Sequence, residues 1–213
     1  MTLLLQSLRP GRVVRLLAWS AILAGTALVA QAAMTRLQGE AWQARHKAGL
    51  SGVATVPADD PLPGTVSRGA LRPRTAPSAG QALARLQIAR LGIDAVVTEG
   101  TDAKSLRLGP GHMPGSALPG ETDNCIIAGH RDGAFGRLSR ARQGDLVEVH
   151  GPSGVSRYRV WDVRIVPKED TQPLQPSTRA ELTLITCYPI HYVGPAPRRL
   201  VVRGELVEDA RVL

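Results

Sequence analysis

The 213-residue chain is 43% hydrophobic and only 3% aromatic, enough for a packed core and one built from aliphatic side chains. Its formal charge of +8 is uneven: residues 1–82 hold nine Lys/Arg against three Asp/Glu, and residues 83–213 hold seventeen against fifteen. The mixed signs of the second part, with no aromatic residues interleaved among the basic ones, argue against a nucleic-acid surface, and two cysteines supply neither a disulfide framework nor a clustered zinc site.

Taken in order, the chain opens with a basic tail over residues 1–15 that carries Arg9, Arg12 and Arg15. Residues 16–34, LLAWSAILAGTALVAQAAM, hold no charge. Nineteen such residues come close to the roughly 20 that cross a bilayer core. The preceding arginines place the N-terminus in the cytoplasm and the remainder outside. Ala30-Gln31-Ala32 also fits a signal-peptidase site, but the apolar run is long for a signal peptide and reads better as a retained anchor. Thr35 to His46 continues the helical pattern, with Trp42 as an interfacial anchor. Residues 35–82 form a membrane-proximal segment that passes, from Gly49 to Gly80, into a stretch rich in Pro, Gly, Ser and Ala, the composition of a spacer.

From residue 83 to 213 the texture changes to short runs rich in Val, Ile and Leu, separated by Gly/Pro turns: ARLQIARLGIDAVV, CIIAGH, DLVEVHG, SRYRVWDVRIV, AELTLITC and RRLVVRGELV. Gly151-Pro152-Ser153-Gly154 reads as a hairpin turn between two alternating runs. This pattern predicts a mainly β domain, an antiparallel barrel or sandwich. Gly136 to Asp145 is the one stretch expected to be helical.

The run TLITCYP places Cys187 where a strand is about to stop. A packed thiol would sit mid-strand; a thiol at a strand's end, facing a loop, is where a nucleophile would be mounted. Such chemistry needs a proton carrier and a positive group for the developing oxyanion. Of five histidines, His46 lies near the membrane and His150 precedes the hairpin turn. His112 and His191 lie in loops. His130 stands apart because CIIAGH delivers it to the end of an apolar run. Arg198 and Arg199 open the last strand, and alternation directs only one of them to the same face as the cysteine. For any of these residues alone, a packed thiol, a satisfied loop histidine or a solvated arginine is the plainer reading.

Taken together, the apolar run into GHRD with Phe135 downstream, TLITC followed by Tyr-Pro, and RLVVRG resemble the sortases, membrane-anchored cysteine transpeptidases. The resemblance covers about Leu83 to Val207, and the TCYP and GHRD forms are similar to class D and Gram-negative members. It implies a closed antiparallel β-barrel of about eight strands with short helices, preceded by one transmembrane helix. It implies Cys187 as nucleophile, His130 as proton carrier and Arg199, which aligns with the family's arginine, as the cation. Thr186, Asp132 and Arg198 are supporting or substrate-binding candidates, and Cys125 has no matching role, both cysteines being expected reduced. The implied partners are proteins with a C-terminal Leu-Pro-x-Thr-like signal and an amine acceptor, and the implied enzyme is a monomer needing no metal or cofactor. Its implied location is the bacterial inner membrane, with the catalytic domain periplasmic.

Two rival readings keep the same residues. An exported thiol peptidase or another Cys/His hydrolase of the cell envelope, an L,D-transpeptidase-like enzyme among them, would also use Cys187 and His130, although TLITCYP lacks the nucleophile motif of the latter. A membrane-tethered β-barrel binding module would leave Cys187 merely packed.

Overall fold

The computed structural model of the protein describes residues 10–50, 77–152 and 154–211. The first nine residues of the basic tail and the centre of the Pro/Gly-rich spacer, 51–76, lie outside the described residues. One long helix, α1 (Pro10–Leu50), precedes eight strands and one further α-helix. At 41 residues α1 is about 60 Å long. Its apolar side chains, among them Leu16, Trp19, Ile22 and Leu28, are more than half exposed. A helix that is apolar all round and covered by no protein meets the requirement for a bilayer segment, and Val14–Lys47 is long and apolar enough to cross one.

The strands are β1 (Ala82–Ile88), β2 (Ile93–Glu99), β3 (Gly111–His112), β4 (Asp123–Gly129), β5 (Leu146–Gly151), β6 (Gly154–Pro167), β7 (Ala180–Tyr188) and β8 (Arg198–Arg211), with α2 (Ala103–Leu108) between β2 and β3. They close into a barrel in the order β1-β2-β3-β4-β7-β8-β6-β5. Closure gives every strand a neighbour on each side, although β3 is too short to cover all of β2. Alternation along β1 buries Ala84, Leu86 and Ile88 on one face, where they join Val97, Ile127, Tyr158, Leu182, Leu184 and Val202 in the core. The one buried phenol is satisfied, since Tyr158 Oη accepts from the Gly120 amide at 2.6 Å.

The expected eight-stranded barrel is present, and the expected hairpin forms with Gly151 opposite Gly154. Two pairs depart from the antiparallel rule: β2/β3 and β4/β7 run parallel. A parallel pair needs a long crossover, and the chain between β4 and β7 supplies one through β5 and β6. The helix expected over Gly136–Asp145 is instead a 3-10 segment at Ala134–Arg140. It stops because Gly144, at φ +88°, and the Asp145 carboxylate, which accepts from the Arg142 amide, turn the chain into β5. The unexpected α2 is only six residues long, too short to show a period, yet its start follows a cap rule: Asp102 accepts from the amides of Lys104 and Ser105.

The helix does not end at the apolar segment but continues past Met34 to Leu50 and docks on the barrel. β3 is two residues long and pairs with β2 only at Thr98 and Glu99, leaving the earlier part of β2 with an open edge. Gln43 of α1 covers it. Its amide donates to the carbonyls of Val96 (2.9 Å) and Leu108 (2.8 Å) and accepts from the Val96 amide (2.7 Å). One side chain thus replaces a neighbouring strand for a buried residue whose groups would otherwise be orphaned. Lys47 pairs with Asp94 at 3.3 Å, and Gly39 lies so close to the Arg107 carbonyl that a Cβ there would stand 2.8 Å from it.

Candidate active site

The parallel β4/β7 pair assembles one rim. β4 and β7 are in register from Asp123↔Ala180 to Gly129↔Thr186. The next residue on each strand is His130 on one and Cys187 on the other, and strands running the same way bring both C-terminal ends to the same side of the barrel. β8 starts where β7 stops, and the antiparallel register places Cys187 opposite Arg199 and Tyr188 opposite Arg198. Residues directly opposite share a face of the sheet. Three adjacent strands therefore present histidine, cysteine and arginine at one level of one rim, while Arg198 falls on the alternate position and is exposed.

The thiol of Cys187 is half-buried and free, and that of Cys125 is free and buried. Burial, with smaller contributions from the charges of Glu121 and Glu99, pushes the Cys125 thiol far above the ordinary cysteine range. Cys125 lies opposite Leu182, far down β4 from the rim. His130 is exposed at the head of the turn that leads to the 3-10 segment. Gly129 before it has no room for a side chain, because a Cβ would stand 2.6 Å from the ring of Phe135. That ring packs against the backbone of Gly129, the residue before the histidine.

Arg199 is half-buried, and its Nη1 donates to the carbonyls of Ala196 (3.2 Å) and Arg198 (3.0 Å). Those bonds fold the guanidinium back on its own strand start and leave other donors of the fork for a ligand. The buried Thr186 hydroxyl donates to the Gly129 carbonyl at 2.7 Å, tying β7 to β4 one residue before the cysteine and the histidine. Asp132 is exposed in the turn after His130, with no hydrogen bond to the imidazole among the described residues.

The other histidines find structural partners. His112 is 2% exposed and bridges Glu99 (2.7 Å) and the Ala117 carbonyl (2.9 Å). His150 lies 3.2 Å from Glu148, and His46 Nδ1 donates to the Trp42 carbonyl within α1 while the two rings stack. His191 is exposed in the β7–β8 loop.

Two further residues, Arg131 at this rim and Asn124 near the opposite end of β4, fasten connecting loops to the barrel. Arg131, next to His130, donates to the carbonyls of Pro189 (3.1 Å) and Gly194 (3.0 Å) and lies 5.9 Å from the Tyr192 ring centroid. It fastens the loop that bears the histidine to the loop that follows the cysteine. Asn124 donates to the carbonyls of Pro173 and Gln175, both at 3.0 Å, and accepts from Thr183 at 2.8 Å, which holds the β6–β7 connection against β4. Arg131 stands in the GHRD run that the sequence marks and Asn124 reads as an ordinary polar residue, but only the folded chain reveals the partners of either.

Comparison with known proteins follows this architecture. The Sortase domain family matches residues 86–207. Sortase D of Bacillus subtilis is 36% identical over 132 residues, which span 62% of this chain and 67% of that protein. A Clostridium perfringens sortase D5 transpeptidase has the same fold, with a TM-score of 0.57 at 24% identity over 62% of this chain and 82% of its own. A C. perfringens sortase C structure with the C-terminal cell wall sorting motif aligns with a TM-score of 0.56 at 27% identity, over 62% and 74% of the two chains. With the closed barrel, the rim and the family match in agreement, the chain belongs to the sortases and is a cysteine transpeptidase.

Proposed function

We propose that Cys187, His130 and Arg199 carry out acyl transfer from a Leu-Pro-x-Thr-like sorting signal to an amine. The observation that carries this reading is the register that brings the three residues to one rim on adjacent strands. Cys187 attacks the carbonyl carbon after the Thr of the signal, and the tetrahedral oxyanion lies on the Arg199 side, where the guanidinium supplies fixed, permanently charged donors. His130, as imidazolium, gives its proton to the departing amine, leaving a thioester on Cys187. An incoming amine then passes a proton to the imidazole as its nitrogen attacks the thioester carbon, and the C–S bond breaks to restore the thiolate and the imidazolium. Water in place of the amine gives hydrolysis. Thr186 serves by fixing the two strand ends, and Asp132 and Arg198 border the rim.

The apolar helix supports a single-pass anchor in the bacterial cytoplasmic membrane, N-terminus inside and barrel outside, periplasmic in a Gram-negative cell. The reading is tested by incubating the protein with a pool of Leu-Pro-x-Thr-Gly and Leu-Pro-x-Thr-Ala peptides and recording intact mass. The expected result is a mass increase on Cys187 equal to the acyl part of a pool member, discharged by added triglycine. Adducts absent from Cys187 across the whole pool, or formed only with cell-wall stem peptides, would contradict it.

A further inference from the structure

Beside His130, on the side away from the cysteine, a cleft of about 840 Å³ opens between the barrel and the part of α1 that follows the apolar segment. Its barrel wall includes His130, Asp132 and Gly133, its helix wall Arg36, Glu40 and Gln43, and neither Cys187 nor Arg199 lines it. The opening exists because β3 is too short to fill the gap between β2 and β4, and the three hydrogen bonds of Gln43 fix the helix as the far wall.

The order along the rim decides what such a cleft is for. Following the barrel from β2 to β8, one meets the cleft, then His130 on β4, Cys187 on β7 and Arg199 on β8. A group in the cleft thus meets the imidazole from the side opposite the cation that holds the acyl carbonyl. In acyl transfer that is the side from which the leaving amine departs, and an incoming amine must occupy the same place to give its proton to the same imidazole. The walls carry both signs, Glu40 and Asp132 against Arg36 and Arg107. They suit an amine borne on a peptide, with charges and carbonyls of its own, better than a bare alkylamine.

Building on the acyl-transfer reading, we propose that the cleft between α1 and His130 is the acceptor site, and that the membrane helix itself forms one wall of it. The incoming nitrogen forms its bond to the thioester carbon, its proton passes to His130, and the sulfur leaves as the thiolate of Cys187.

The test uses the full chain in detergent micelles or nanodiscs with the same peptide pool and triglycine, and reads the ratio of aminolysis to hydrolysis. Glu40 and Ala44 are exposed residues of the helix wall, so Glu40→Trp and Ala44→Trp fill the cleft without touching the core. Each is expected to lower the ratio at least tenfold, whereas Gln38→Trp, on an exposed part of α1 outside the cleft, leaves it unchanged. A ratio that stays within twofold of the unsubstituted protein in both cleft variants overturns the proposal. So does a parallel fall in acylation and aminolysis, which would make the cleft a donor site. Failure of the unsubstituted protein to acylate at all would instead overturn the acyl-transfer reading on which the proposal rests.

Discussion

At the scale of single residues, the two adjacent arginines offer a sharp contrast. Arg199 shares a face and a register position with Cys187, and Arg198 shares them with Tyr188. If the guanidinium opposite the cysteine stabilises the oxyanion, Arg199→Ala lowers kcat/KM by about 10²–10³-fold, while Arg198→Ala, an exposed change, alters it by about twofold or less. Steady-state turnover of a sorting peptide separates the two; equal losses would remove the register argument. Two carboxylates held by arginines, Asp94 and Asp145, set the response to acid. The Arg85 guanidinium, at 2.8 and 2.9 Å, holds Asp94 below the usual carboxylate range, and the Arg90 guanidinium does the same for Asp145. A carboxylate whose folded pKa lies below its unfolded value adds stability that is complete above about pH 5 and lost as pH falls through the folded value. A thermal melt should therefore hold its Tm from pH 8 to about 5 and decline below about 4, with a shallower decline in Asp94→Asn and Asp145→Asn.

At the scale of elements, α1 both contains a stretch long and apolar enough to cross a membrane and packs against the barrel. Gln43 accepts from the Val96 amide and donates to two carbonyls. Truncating it to alanine strands a buried amide, a loss on the order of 1–3 kcal/mol. The local effect is more diagnostic than the global one: hydrogen exchange at the Val96 amide should be slow in the native chain and much faster in Gln43→Ala, with amides of β7 and β8 unaffected. Equal protection of Val96 in both would show that α1 does not cover this edge. The elements also show what the sequence makes legible. Strand runs such as ALARLQI and AELTLITC declare themselves by alternation, and the hairpin at Gly151–Gly154 by its turn residues. The direction of pairing is not written locally. That β4 and β7 run parallel follows from how the chain winds between them, and alternation is the same for either direction. The 3-10 segment at Ala134–Arg140 and the brief α2 are too short to carry a period, and Gln43 gives no hint of the strand edge it meets 53 residues further along the chain.

At the scale of the whole molecule, one end of the barrel gathers the residues proposed to react. The β1–β2 turn, the ends of β4, β6 and β7 and the start of β8 all lie there. Helix α1 runs antiparallel to β2, with Lys47 against Asp94 and Gln43 against Val96. It therefore climbs toward that rim while its apolar length extends past the opposite end. The sequence revealed the strand-end cysteine, the strand-end histidine and the arginine pair as separate features, and a family resemblance tied them together. Only the closed barrel shows why two C-terminal strand ends and one strand start meet at a single level.

The central claim is that the thiol at the end of β7 is the nucleophile and not a packed core group. The most direct measurement pairs turnover with stability in Cys187→Ala. Because the side chain is half-buried at a strand end, the account predicts complete loss of sorting-peptide cleavage and of amine-dependent product, with a Tm close to that of the unsubstituted protein. Turnover retained in Cys187→Ala, at a Tm showing the variant to be folded, would contradict it.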